Sequence, residues 1–210
     1  SHEKKQEQSL NLESVTLGNL TWHNIDQPGQ PEINYLSENR LFHPLDLDDC
    51  LSRIQRPKID QYEDYLFIVL HFPVFDKEER VTTPSQVSVF IGKDYLITSH
   101  KGELKPLVNL FRQCQIDEKV RNEYFSQGSA FLLYRLLDRL VDYCLPILSK
   151  IGESIEKVED DLFADGVSGV VKEISILRRD LIAFRRIIWP MRAVIASLEA
   201  KVRRYTEMDL

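Results

Sequence analysis

Residues 65–72 of the chain read YLFIVLHF, and this stretch decides the fold class. It is a continuous apolar and aromatic run with a single histidine, preceded by acidic residues and followed by Pro73. Such a run is typical of a strand at the centre of a sheet, buried on both faces. Residues 86–91 and 94–99 are also rich in β-forming residues, and Gly92-Lys93 between them predicts a tight hairpin.

The segments around these strands alternate between helix and strand signals. Residues 17–25 predict a further strand, and residues 76–84 predict a charged loop. Apolar residues at helical spacing, interrupted by prolines, predict three short helices over residues 31–41, 45–54 and 106–114. The first part of the chain therefore mixes strands and helices.

The last third of the chain has a different pattern. Apolar residues at helical spacing predict two long helices, over 130–163 and 170–203. Pro146 predicts a kink or an early end in the first helix, and Pro190 interrupts the second. The end of the first helix is mainly acidic and the second is mainly basic, which predicts an antiparallel helical hairpin.

These patterns divide the chain into three parts. Residues 1–13 form a polar leader, residues 14–128 contain the sheet, and residues 129–210 form the long helical hairpin. The fold class predicted is α/β (α+β), with the hairpin following the sheet.

Composition excludes several classes of function. The chain has 210 residues, of which 43% are hydrophobic and 29% charged, as in globular proteins. Its net charge of −6 argues against binding to nucleic acid, which needs a basic face. Three cysteines without C-x-x-C spacing exclude a disulfide framework and favour a reducing compartment. We expect a soluble chain, because there is no signal peptide and no apolar run of about 20 residues.

The sequence carries no enzyme signature. The phosphate-binding, dinucleotide-binding, serine-hydrolase and zinc-protease motifs are all absent from it. No two of the five histidines are four residues apart, and no nucleophile–base pair can be proposed. We therefore expect a protein that is not an enzyme.

Two acidic groups are the candidate chemical features. Asp46, Asp48 and Asp49 form the cluster D-L-D-D, which lacks the glycine and glutamate of an EF-hand. Two interpretations stay open for it: carboxylates at the positive end of a helix dipole, or a sparse Mg²⁺ site that keeps several waters. Asp138 and Asp142 are four residues apart on the first long helix, beside its apolar stripe, where like charges favour a counter-ion.

Residues 43–70, HPLDLDDCLSRIQRPKIDQYEDYLFIVL, resemble the cytosolic domain of the CorA family of divalent-cation transporters. In that family H-P-L is followed by an acidic pair, by Q-R-P-K and by an acidic-aromatic stretch that enters a buried strand. Three more segments match in order: QVSVFIGKDYLITSH (86–100), LLYRLLDRLVDYCLPIL (132–148) and LRRDLIAFRRIIWPMRAVIASL (177–198). The resemblance covers about residues 22–202.

The resemblance implies an α/β/α sandwich with a mixed β-sheet, followed by the hairpin. It also implies a homopentamer in the inner membrane of the cell, with this portion on the cytoplasmic side. A stalk helix, the pore and its Gly-Met-Asn signature would follow, so the chain is expected to be a cytosolic fragment without the pore. In this family Mg²⁺ bound between cytosolic subunits holds the pore closed.

The resemblance also assigns site residues. The family's acidic pair corresponds to Asp48 and Asp49, with aspartate at 48 where glutamate is common. The helix aspartate corresponds to Asp138, and Asp142 matches a neighbouring acid. The regulatory ion implied is Mg²⁺, with Co²⁺ or Zn²⁺ as other divalent cations. The rival within the superfamily is the zinc-transporting ZntB branch, and the rival from another class is a soluble module that docks partners on its helical hairpin.

Overall fold

A computed structural model describes residues 9–52, 55–76, 78–79, 81–165 and 167–206. The strands in these residues are β1 (Leu12–Leu17), β2 (Leu20–Asp26), β3 (Lys58–Gln61), β4 (Leu66–Asp76), β5 (Val81–Ile91) and β6 (Tyr95–His100). The helices are α1 (Gln30–Asn39), α2 (Pro44–Leu51), α3 (Lys105–Ile116), α4 (Glu118–Phe125), α5 (Gly128–Asp165), α6 (Val167–Ile188) and α7 (Met191–Thr206).

The six strands form one mixed sheet in the order β1-β2-β6-β5-β4-β3. Strands β2 and β6 pair in parallel, and the other neighbours pair antiparallel. The apolar run at 65–72 enters β4, which has a neighbour on each side and is buried along this stretch. The prediction of an interior strand is confirmed, and hydrophobic burial on both faces is its cause.

Helices cover both faces of the sheet, so the architecture is the α/β/α sandwich that the resemblance implied. Alternate residues of β4 serve the two cores: Phe67 and Val69 pack with α1 and α2, whereas Ile68 and Leu70 pack with the later helices. This alternation follows from the two-residue period of a strand.

The predicted helical hairpin is confirmed. Helix α5 has 38 residues, which makes it about 57 Å long, and α6 packs back along it. Helix α5 continues past Pro146, so the early end that this proline could have caused does not occur, and a kink there stays a prediction. Pro190 does interrupt the second helix, between α6 and α7. Within the described residues, no helix is long and apolar enough to cross a membrane.

Four local predictions need correction. Residues 17–25 are not one strand: β1 and β2 form a hairpin, and Gly18 supplies its left-handed turn with φ of 58°. Strand β1 begins at Leu12, inside the segment assigned to the polar leader, of which residues 1–8 lie outside the described residues.

The charged loop predicted at 76–84 is shorter, because β5 already begins at Val81. Pro73 and Pro84 face each other where β4 and β5 extend past the other strands, so neither proline interrupts a third strand's hydrogen bonds. The β5–β6 turn falls one residue later than predicted, since the Gly92 amide donates to the Tyr95 carbonyl at 3.1 Å.

Candidate functional site

Helix α2 presents its three aspartates in three different environments. Pro44 occupies its first turn, and the His43 ring nitrogen Nδ1 caps it by accepting from the Leu45 amide at 3.2 Å. Asp46 is buried, Asp48 is exposed, and Asp49 is half-buried. Only Asp46 lies in the first turn, so the dipole interpretation applies to that residue and not to Asp48 or Asp49.

Asp46 is held by two tyrosines that follow β3. The hydroxyl of Tyr65 donates to Oδ2 at 2.9 Å, and that of Tyr62 donates to Oδ1 at 3.2 Å. Burial raises the pKa of Asp46, although the two hydroxyl donors counteract part of the rise. Burial and the nearby carboxylate raise the pKa of Tyr62 to about 12. These bonds tie the start of α2 to the sheet.

Asp49 has a lysine counter-ion on the edge strand. The Lys58 ammonium lies 2.7 Å from Asp49 Oδ2 and 2.5 Å from Asp60 Oδ2. Burial alone would lower the pKa of Lys58, but the hydrogen bonds to the two carboxylates outweigh that effect and raise it. Asp49 is therefore neither a helix cap nor an isolated surface charge.

Asp138 and Asp142 are exposed on α5, and they differ from Asp49 in having no counter-ion among the residues that the structure describes. Among the described residues neither forms a hydrogen bond or an ion pair. The nearby arginines of α5 have other partners: Arg135 pairs with Glu123 at 2.7 Å, and Arg139 donates to the Tyr124 hydroxyl. The two free carboxylates remain available to a cation.

The two acidic pairs lie on opposite sides of the molecule. Leu47 and Cys50 of α2 belong to the core on one face of the sheet, and Leu137 and Leu140 of α5 belong to the core on the other face. A single ion with ligands at about 2.0–2.6 Å cannot contact both pairs within one chain. Accordingly, no cluster of three metal-binding side chains occurs in the described part of the chain.

The hairpin carries a second surface feature. A groove of about 810 Å³ between α5 and α6 is lined mainly by apolar side chains. Among them Ile155, Ile174 and Trp189 are more than a third exposed. The guanidinium groups of Arg185 and Arg192 lie 5.4 Å and 4.9 Å from the centre of the Trp189 ring. An exposed apolar groove of this size is typical of an interaction surface.

The partners of the acidic cluster could not be predicted from the sequence. Lys58 and Asp60 lie two residues apart in β3, so a strand assignment would have placed them on one face. The strand was not predicted because it has only four residues, two of them charged, and so lacks an apolar pattern. The tyrosines that hold Asp46 could not be assigned, because the contact joins residues 16 and 19 positions apart.

Comparisons with known proteins agree with this architecture. A family model described as CorA-like Mg²⁺ transporter protein matches residues 18–209. The cobalt/magnesium transport protein CorA of Thermotoga maritima is 32% identical over 90% of this chain and 53% of its own length. The soluble domain of CorA from Methanocaldococcus jannaschii superposes with a TM-score of 0.72 at 26% identity, covering 86% of this chain and 70% of that one.

The zinc branch is more distant. The zinc transport protein ZntB of Yersinia pseudotuberculosis is 22% identical over 86% of this chain and 53% of its own length. The chain spans about half the length of the curated relatives it matches. These relatives are transporters rather than enzymes. Because the family match extends over nearly all of its residues, the chain belongs to the CorA-like Mg²⁺ transporter family.

Proposed function

We propose that this chain is the ion-sensing regulatory domain of a divalent-cation transporter, and that Mg²⁺ is the ion it senses. The observation that carries the proposal is the placement of the acidic pairs. Asp48 and Asp49 lie on one side of the sandwich, and the unpaired Asp138 and Asp142 lie on the other. Such a placement suits ions held between neighbouring copies of the chain, where one face meets the other.

The mechanism is electrostatic. At low ion concentration the apposed carboxylates of adjacent subunits repel each other, and a bound Mg²⁺ removes that repulsion. The ion therefore stabilises the arrangement in which the faces are in contact, and it shifts the population toward that state only as far as it binds that state more tightly. In the proposed cycle the ion-filled arrangement corresponds to the closed transporter.

The side chains at the site favour a hard cation. The four aspartates offer only carboxylate oxygens, which suit Mg²⁺. Zinc prefers histidine and cysteine, but Cys50, Cys114 and Cys144 are all buried. The ring of His100 is also engaged, since its Nδ1 accepts from Gly102 and its Nε2 donates to Asn24. The ZntB-like alternative is thus less well supported by this chain.

The rest of the proposal concerns the whole transporter. The family supports a homopentamer in the inner membrane, with this domain on the cytoplasmic side and the pore in a region outside this chain. Co²⁺ is a further candidate cargo, because the Thermotoga relative is named for cobalt as well as magnesium transport.

The interaction-module alternative rests on the groove between α5 and α6. Its exposed apolar lining would suit a partner helix, and it does not require any ion. The two functions differ in one property: an ion sensor loses its response when Asp49 or Asp138 loses its charge, whereas a docking module does not.

The test is a Mg²⁺ titration of the full-length protein, with protease protection as the measure of closure. Asp49→Asn and Asp138→Asn should each raise the Mg²⁺ concentration at half-protection, because asparagine keeps the shape and removes the charge. Asp94→Asn, in the exposed β5–β6 turn, is the matched control and should leave the midpoint unchanged. Unchanged midpoints in both site variants would contradict the sensing function.

A further inference from the structure

The ammonium group of Lys58 occupies the position from which a cation would neutralise Asp49. It lies 2.7 Å from Asp49 Oδ2 and 2.5 Å from Asp60 Oδ2, so both carboxylates share one positive charge. The side chains of Asp49 and Lys58 are 16% and 34% exposed, so the pair is partly shielded from solvent. Asp138, the other proposed ligand, has no such counter-ion among the described residues.

From this contact we infer that Lys58 is an internal competitor of the divalent cation at Asp49, and that it sets the ion concentration at which the site fills. The inference rests on the proposed function and adds a residue that determines the affinity of its site. Lys58 itself is not a ligand, because a protonated amine has no lone pair to donate.

The competition follows from charge and geometry. A divalent cation at Asp49 would meet the lysine ammonium at close range, and two like charges repel strongly in a partly buried site. The ion can bind fully only when the ammonium leaves. The flexible four-carbon stem of lysine permits this movement, since about a third of the side chain already reaches solvent.

Asp60 makes the competitor harder to displace. Lys58 and Asp60 are two residues apart in β3, with their side chains on the face that carries α2. The second carboxylate holds the ammonium near Asp49 even when Asp49 turns away. The Lys58 ammonium also lies 5.4 Å from the centre of the Phe67 ring, a contact that further favours the docked position.

A different role for Lys58 predicts the opposite change in ion affinity when its charge is removed. If the ion pair only holds Asp49 in the orientation needed for binding, removal of the ammonium would weaken ion binding. If Lys58 competes, removal would strengthen it. The direction of the change therefore separates a competitor from a positioning residue.

The experiment measures the Mg²⁺ midpoint of protease protection in the full-length protein. Lys58→Met keeps the apolar stem and removes the charge, and it should lower the midpoint by about two- to tenfold, the range expected from two partly exposed ion pairs. Lys58→Gln is a second neutral variant with the same expectation. Lys58→Arg keeps the charge, and with it the competitor, so it should not lower the midpoint. Lys119→Met, at an exposed lysine on α4, is the control for lost charge elsewhere.

A second measurement needs no variant. The side-chain NMR signals of Lys58 should move toward those of a free lysine as Mg²⁺ is added, because the ammonium leaves the carboxylates. An unchanged or raised midpoint in both neutral variants, or Lys58 signals that do not respond, would overturn the inference. Asp49→Asn distinguishes failure of the competition from failure of the proposed ion site. If Asp49→Asn shifts the midpoint while the Lys58 variants do not, only the competition by Lys58 is refuted. If Asp49→Asn has no effect, the proposed site fails and the inference fails with it.

Discussion

Tyr65→Phe should destabilise the domain, because the Tyr65 hydroxyl holds the start of α2 to the sheet. The Tyr65 hydroxyl accepts from the His43 amide at 2.8 Å and donates to Asp46 Oδ2 at 2.9 Å. Phenylalanine would keep the ring and its packing on Phe42, while removing both hydrogen bonds. The substitution therefore tests the polar contacts alone.

The expected cost follows from burial and charge. A hydrogen bond to a charged group contributes about 1.5–3 kcal/mol, and the partly buried His43 amide, left without its acceptor, adds to the loss. Tyr65 is 5% exposed, so water does not readily replace its hydroxyl. We expect Tyr65→Phe to lower the free energy of unfolding by about 2–3 kcal/mol, which corresponds to a fall in Tm of roughly 4–12 °C for a chain of this size.

The assay is urea unfolding followed by far-UV circular dichroism. Tyr62→Phe is the matched control: its bond to Asp46 is longer, at 3.2 Å, and its side chain is only half-buried, so we expect a loss of about 0.5–1 kcal/mol. In an Asp46→Asn background the cost of Tyr65→Phe should shrink, because the charged acceptor is gone. Equal losses of unfolding free energy in the two tyrosine variants would refute the conclusion that the Tyr65 hydroxyl holds the start of α2 to the sheet.

Two further predictions concern stability. Gly92→Ala should lower the free energy of unfolding in urea by about 1–3 kcal/mol, because a Cβ at this position would overlap the Tyr95 ring. Gly152→Ala on α5 is the control: its Cβ would meet no neighbour, so the change should be neutral or stabilising. Equal effects of the two substitutions would contradict this prediction. Burial lowers the pKa of His71 and of His100 below the ordinary 6.5, so the unfolded chain binds more protons as pH falls through that value. The urea midpoint should therefore decrease between about pH 7 and pH 5.5, and a constant midpoint over that range would show that these histidines titrate alike in both states.

Much of the fold could be predicted because it depends on local periodicity. The apolar run that enters β4 is unbroken, as in a strand buried on both faces. The apolar residues of α5 and α6 recur at helical spacing and leave the opposite face of each helix polar, so each pattern matches a single kind of element. The errors occurred where context overrode the local signal. Proline at 146 does not end α5, and a short charged strand, β3, forms because β4 supplies its hydrogen bonds.

From the sequence alone the interior strand, the long helical hairpin and, through the resemblance, the family could be predicted, and the resemblance also assigned four aspartates to a candidate site. Only the tertiary structure decided what surrounds those aspartates. It buried Asp46 beneath two tyrosines, paired Asp49 with Lys58, and left Asp138 exposed on the opposite side of the sheet. The physical reason is that charge pairing and burial depend on contacts between residues far apart in the chain, which no local period encodes.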